Sequence, residues 1–143
     1  MKSPPAPNPA LIIDDNDDYA AMLIALLEPR GFQFTRARNA KEALKILRDK
    51  GANFFQLIIT DITMGSQTAG LKLIRQIRRQ GYRGVLIVAS TGFDSPFILQ
   101  IAKPLMNMLG ADILIPKRPL KAEQLRCYPI TTRGKFWEAT FRT

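Results

Sequence analysis

The sequence predicts an α/β fold built on one parallel sheet with helices on both faces. Short, nearly all-apolar runs recur along the 143 residues: LII at 11–13, FQLIIT at 55–60, VLIVAS at 85–90 and DILIP at 112–116. Such runs read as strands buried on both faces. Amphipathic helical stretches lie between them, and this alternation implies right-handed β-α-β units. The runs also end in polar groups: Asp14 with Asp15, Asp61, Ser90 with Thr91, and Lys117. In open α/β sheets the carboxyl ends of the strands are where sites are built.

Residues 1–9 carry four prolines, at 4, 5, 7 and 9, and read as an extended, disordered leader. LII follows as the first strand. Asp17 or Asp18 is placed to cap a helix with Met22, Leu23, Leu26 and Leu27 on one side, stopped by Pro29-Arg30-Gly31. FQFTRAR (32–38) alternates like a half-buried strand. Asn39 and Glu42 resemble a capping box that opens AKEALKILRDK, with Ala43, Leu44 and Leu47 as its apolar stripe. After FQLIIT and Asp61, a loop with Gly65 and Gly70 leads to the helix LKLIRQIRRQG. There Leu71, Ile74 and Ile77 face in, and Lys72, Arg75, Arg78 and Arg79 face out. VLIVAS is the most strand-like run. Asp94-Ser95-Pro96 then starts a helix, with proline at its first position, running from Phe97 to about Leu109 with Pro104 inside. DILIP is the last buried strand and KAEQLR (121–126) a short final helix. The folded domain is expected over 10–127. Residues 128–143 show no clear period, although Phe136, Trp137 and Phe141 are apolar, and read as a basic C-terminal tail.

Composition narrows the chemistry. Hydrophobic residues at 46% and charged residues at 23% fit one globular domain and exclude disorder throughout. No apolar run approaches the ~18 residues of a membrane-spanning helix, so no membrane insertion is expected. MKSPPAPNPA lacks the apolar stretch of a secretory signal. The single cysteine, Cys127, fits a reducing cytoplasm, which is the expected location. Histidine is absent, which excludes Ser-His-Asp triads, Cys-His pairs and HExxH zinc sites. With one cysteine and no histidine, structural zinc is excluded too. No Walker A or GxGxxG segment supports a nucleotide site.

The net charge of +9 is uneven: residues 1–60 hold eight bases and seven acids, residues 61–143 thirteen bases and five acids. A basic half points to an acidic partner or to a solvated face that only aids solubility.

The strand-end groups suggest one kind of chemistry. Carboxylates brought together raise one another's pKa and need a cation. Mg²⁺ is the usual hard ion held by one or two carboxylates plus phosphate oxygens. An aspartate in such a place can accept a phosphoryl group, and phosphoryl transfer is mostly positioning and charge neutralisation. A metal, Lys117 and the Ser90 hydroxyl would supply these. One strand-end aspartate alone is usually a helix cap; four groups at successive strand ends are poorly explained that way.

These motifs resemble the receiver domain of two-component response regulators over about residues 10–126. LIIDDND resembles the acidic pair closing the first strand. LIITDITM resembles the phosphoacceptor strand, with Asp61 as acceptor and Met64 third after it. VLIVAS resembles the fourth strand with its closing hydroxyl, and GADILIPK the segment leading to the family's lysine, at Lys117. The resemblance implies a flavodoxin-like sheet of five strands in order 2-1-3-4-5. It implies Mg²⁺ bound directly by Asp15 and Asp61, through water by Asp14, and by the backbone carbonyl of Thr63. It assigns phosphoryl neutralisation to Lys117 and phosphoryl hydrogen bonding to Ser90, with Thr91 as the alternative hydroxyl. The phosphoryl donor would be a partner histidine kinase or histidine phosphotransfer protein. The domain is then not an enzyme beyond its own phosphorylation and dephosphorylation.

The chain departs from the family pattern at four places. Gly65 stands where proline follows the methionine, and the loop to Gly70 is one residue longer. The Lys-Pro step reads Lys117-Arg118-Pro119, and aliphatic Leu114 takes the place of the fifth-strand aromatic. Two alternatives stand beside phosphoryl acceptance. One is a degenerate receiver that binds partners without phosphorylation. The other is an aspartate-based phosphatase, which lacks its second acid because Thr63 stands there. No DNA-binding output domain is recognised. The helix 97–109 carries Phe97, Ile98, Ile101, Leu105, Met108 and Leu109 around more than one face, more than one stripe can bury. Self-association or partner contact through 97–109 is therefore expected, and the resemblance implies that the contact, a homodimer among the possibilities, uses the 97–115 face of fourth helix and fifth strand; folding-back of the aromatic tail is the alternative cover.

Overall fold

The computed structural model describes residues 7–62 and 67–142. The chain alternates β1 (Asn8–Ile13), α1 (Asp17–Leu27), β2 (Phe32–Ala37), α2 (Ala40–Lys50), β3 (Leu57–Asp61), α3 (Gln67–Arg79), β4 (Val85–Ser90), α4 (Pro96–Leu109) and β5 (Ile113–Pro116), then β6 (Tyr128–Pro129) and α5 (Thr132–Arg142). The strands lie in the order β2-β1-β3-β4-β5-β6. The first five are parallel, as expected, while β6 is a short addition antiparallel to β5. Every residue of β3, β4 and β5 is buried. Helices α2, α3 and α4 cover one face through Leu47, Ile74, Ile77, Leu99 and Met106. The other face is covered by Leu23 and Leu27 of α1, by Leu120, and by Trp137 of α5.

The structure corrects four local expectations. Asn16, not Asp17 or Asp18, caps α1: its side chain accepts the Tyr19 N–H at 2.9 Å. β1 begins at Asn8, so the last two residues of the expected leader are already strand. Residues 121–126 form no α-helix. A 3-10 turn over Arg118–Ala122 buries Leu120 and stops at Glu123, whose φ of 58° is left-handed. Residues 128–142, where no period is visible in the sequence, hold a two-residue strand and an eleven-residue helix.

Helix α5 crosses the amino ends of the strands. Its Gly134 sits against the start of β5, where a Cβ would lie 2.1 Å from the Asp112 carbonyl oxygen, so only glycine permits this approach. Arg133 reaches the Gly84 carbonyl just before β4. Trp137 packs on Phe32 at the start of β2, ring centroids 6.1 Å apart. The segment before the helix touches α4, where Asn107 donates to the Ile130 carbonyl at 2.9 Å and Lys103 lies over the Tyr128 ring, but Phe97, Ile101 and Met108 stay exposed, so the alternative of an aromatic tail covering 97–109 is not seen among the described residues.

Asp112 fastens this end of the sheet. Its carboxylate is buried and accepts from Arg78 at 2.7 Å, the Leu86 N–H at 3.0 Å and the Thr131 hydroxyl at 2.6 Å. Arg78, expected to face solvent, is drawn inward and also donates to the Gly110, Tyr82 and Gly84 carbonyls. Burial lowers the guanidinium's pKa, and the Asp112 charge opposes that shift.

Candidate functional site

The parallel topology brings the predicted groups to one edge. Asp14 and Asp15 follow β1, Asp61 closes β3, Ser90 closes β4 and Lys117 follows β5. The register ties these ends together: Ile13 pairs with Thr60, Asp61 with Ala89, and Ser90 with Pro116. The Lys117 N–H donates to the Ser90 carbonyl at 3.2 Å, closing the edge between β4 and β5.

Carboxylate oxygens of Asp14, Asp15 and Asp61 all lie within 4.8 Å of one another. Asp14 and Asp61 are buried, while Asp15 is exposed to solvent. Lys117 is buried between the first two, its Nζ 2.7 Å from Asp14 and 3.2 Å from Asp61. Its ammonium also stands 4.9 Å from the centroid of the Tyr19 ring, a cation–π contact. Arg118 is exposed, and its N–H donates to Asp94 instead. Ser90 is buried and its Oγ accepts the Gly92 N–H at 3.1 Å; Thr91 is exposed and opens the following turn. Thr63, Met64 and Gly65 lie outside the described residues.

The surroundings of the acids are basic. Arg36 donates to the Asp14 carbonyl at 2.9 Å and pairs with Asp17 at 2.7 Å, and Arg38 pairs with Asp17 at 3.0 Å. The Arg36 hydrogen bond, helped by Arg38, holds the exposed Asp17 below the usual carboxylate range. Asp14 moves the other way. Burial raises its pKa, against the lowering effects of its hydrogen bonds to Lys117 and Asn16.

That shift has a consequence for stability. A carboxyl whose pKa is raised by folding opposes folding when ionised. The folded state then holds the proton more tightly than the unfolded state, and stability falls as the pH rises through the titration. In metal-free buffer, Asp14→Asn is expected to raise the melting temperature at neutral pH. The gain should vanish as the pH drops toward 3.8, the value of an unperturbed aspartate. Melting curves across this range check it; a loss of stability at neutral pH would show that the Lys117 pair outweighs burial.

The sequence did not reveal Tyr19 as a neighbour of Lys117, nor the Arg78–Asp112 lock. Tyr19 carries no local signal beyond its position in the first turn of α1. Gly70, taken as a loop marker, is within α3, where a Cβ would lie 2.1 Å from the Ile62 carbonyl oxygen. It lets α3 press against the segment leaving Asp61.

Three carboxylates, two buried and one exposed, offer oxygen donors that suit a hard divalent ion such as Mg²⁺. Among the described residues, no helix is long and apolar enough to cross a membrane.

Comparison with known proteins agrees with this arrangement. Residues 10–126 match the family described as the response regulator receiver domain. A homologue of the transcriptional regulatory protein CpxR from Haemophilus influenzae is 29% identical over 107 residues, covering 75% of this chain and 42% of that protein. The chain thus spans less than half the length of this curated relative. A response regulator protein from Burkholderia pseudomallei, solved with a phosphorylated aspartic acid, calcium ion and citrate, is 27% identical with a TM-score of 0.64, covering 92% of this chain and 71% of that one. The chemotaxis response regulator CheY4 of Vibrio cholerae shares the fold at a TM-score of 0.64 and 20% identity, covering 94% and 98% of the two chains. With four strand-end motifs meeting at one edge of a flavodoxin-like sheet, the chain belongs to the response regulator receiver domain family of two-component signalling.

Proposed function

We propose that Asp61 accepts a phosphoryl group from a partner histidine kinase or histidine phosphotransfer protein, in a Mg²⁺-dependent reaction that switches partner binding. The observation that carries this reading is the buried Asp61 carboxylate held 3.2 Å from Lys117 within a cluster of three aspartates. The Burkholderia pseudomallei relative, with its phosphorylated aspartic acid and calcium ion, supports both halves of it.

In this reading an Asp61 oxygen attacks the phosphorus of the donor's phosphohistidine. The P–N bond breaks as the P–O bond forms, and the imidazole leaves with the electron pair. Lys117 turns from the Asp61 carboxylate to the transferred phosphoryl oxygens. Ser90 accepts the Gly92 N–H and keeps its own O–H to donate; Thr91, exposed beside it, is the second choice. Asp15 and Asp61 would hold Mg²⁺ directly and Asp14 through water, with the Thr63 carbonyl as a further ligand. A bound Mg²⁺ supplies charge neutralisation for the phosphoryl oxygens. Beyond its own phosphorylation and dephosphorylation the domain catalyses nothing in this account.

The output differs from the family pattern. Leu114, at the position of the usual aromatic, is buried in the core, so no ring is present there to swing. β6 pairs with Ile113 and Leu114, which narrows the expected 97–115 contact face to α4. Leu114 also favours a second reading, partner binding without phosphorylation.

Incubation with acetyl phosphate and Mg²⁺, followed by intact mass, separates the two. The first reading predicts one phosphoryl adduct, lost on chelation of the metal and absent from Asp61→Asn. Equal masses with and without treatment favour the second.

A further inference from the structure

Four contacts close a circuit around the buried ammonium of Lys117. The Asp14 carboxylate accepts from that ammonium at 2.7 Å through one oxygen and from the Asn16 N–H at 2.9 Å through the other. The Asn16 side chain in turn accepts the Tyr19 N–H at 2.9 Å and so fixes the first turn of α1. The Tyr19 ring then meets the Lys117 ammonium, 4.9 Å from the ring centroid. The Lys121 ammonium stands 5.8 Å from the same centroid. Tyr19 is half-buried against the core, whereas Lys121 is exposed.

The partners of Lys117 differ in kind. Asp14 and Asp61 belong to the acidic cluster. In the reading proposed above both change partners during the reaction, since Asp61 takes the phosphoryl group and both face a cation. Their pull on the ammonium weakens as it turns to the phosphoryl oxygens. A ring face attracts a cation through its quadrupole, most strongly where water is excluded. That attraction needs no charge on the ring and persists while the carboxylates are engaged elsewhere. The capped start of α1 keeps the ring in place.

We propose that Tyr19 is a positioning residue for phosphorylation, its ring holding the Lys117 ammonium at the Asp61 edge while the carboxylates change partners. The inference rests on Asp61 as the acceptor. Leucine at position 19 would fill much of the same space against the core without a ring face. Phenylalanine keeps the face and loses only the hydroxyl.

The test follows adduct formation on the full chain by intact mass, with acetyl phosphate and Mg²⁺. Tyr19→Leu should slow it about fivefold, the factor expected for one lost cation–π contact. Tyr19→Phe should restore most of the rate, and Tyr19→Leu should slow Lys117→Ala no further. Denaturant melts in metal-free buffer read the contact without a phosphodonor: Tyr19→Leu should lower the midpoint of the unaltered chain more than that of Lys117→Ala. Circular dichroism spectra should agree among the variants. An unaltered chain that takes no adduct would sink the phosphoryl reading and this inference with it. An adduct formed equally fast in Tyr19→Leu would overturn this inference alone. So would equal slowing by Tyr19→Phe, or equal midpoint shifts with and without Lys117. Loss of the Tyr19→Leu effect in Lys121→Ala would also overturn it, since the ring would then act through Lys121.

Discussion

Asp112→Ala is expected to destabilise the domain by about 3–5 kcal/mol, the cost of leaving one member of a buried charge pair without its partner. Three groups lose their acceptor together: the half-buried Arg78 guanidinium, the buried Leu86 N–H and the Thr131 hydroxyl. Arg78 cannot escape to water without also giving up the Gly110, Tyr82 and Gly84 carbonyls. Against a total stability of roughly 5–15 kcal/mol, the loss is large. The melting temperature should fall on the order of 10–20 °C. Thr131 also accepts the Gly134 N–H at 2.9 Å, so α5 should loosen first. Trp137, the single tryptophan, reports this directly: its emission should shift to the red before the global transition. Asp112→Asn keeps the acceptor oxygen but not the charge and should fall between. A change below about 1 kcal/mol for the alanine variant would show that the lock is not a principal support.

The second large effect concerns Lys117. The sequence alone predicts that a strand-end lysine contributes little packing, so that its loss spares the fold. The structure revises this, because Lys117 is buried and is the cation between two buried carboxylates. In metal-free buffer Lys117→Ala is expected to cost about 3 kcal/mol, since Asp14 and Asp61 then lose the buried ammonium that lies between them. Mg²⁺ should restore much of the loss, because it binds the folded state and replaces the missing positive charge. Phosphorylation by acetyl phosphate should stay slow even with Mg²⁺, as no ammonium then meets the phosphoryl oxygens. Arg118→Ala should change neither quantity, since that side chain is exposed. Denaturant melts with and without Mg²⁺ check the first claim and intact-mass time courses the second. If Arg118→Ala were the damaging change, the lysine assignment would be wrong by one residue.

The strand ends were legible because buried parallel strands are almost wholly apolar, so the charged or hydroxyl group that closes each run marks where it emerges, although Thr60 is buried inside β3 ahead of Asp61. That rule alone located Asp14, Asp61, Ser90 and Lys117. It did not tell Asp14 from Asp15, which differ in burial only because successive residues point in opposite directions. Arg78 was misread for a different reason. It falls among Lys72, Arg75 and Arg79 on a helix whose outward face is basic, and the partner that turns it inward, Asp112, is 34 residues away. α5 was invisible to periodicity. What fixes it is Gly134 against Asp112 and Trp137 against Phe32, while Phe136 beside them is exposed, so no apolar stripe forms. The short helix expected at 121–126 failed where Glu123 takes a left-handed backbone conformation, a choice made by the chain's return to pair with β5.

The measurement that bears most directly on the central claim is the location of the phosphoryl group. Treatment with acetyl phosphate and Mg²⁺, reduction of the acyl phosphate with borohydride, digestion and tandem mass spectrometry convert a phosphorylated aspartate into homoserine at its own position. The account predicts homoserine at position 61 and at no other aspartate, with none when the metal is chelated. Homoserine at Asp14 or Asp15, or an unmodified Asp61 after full treatment, would contradict it.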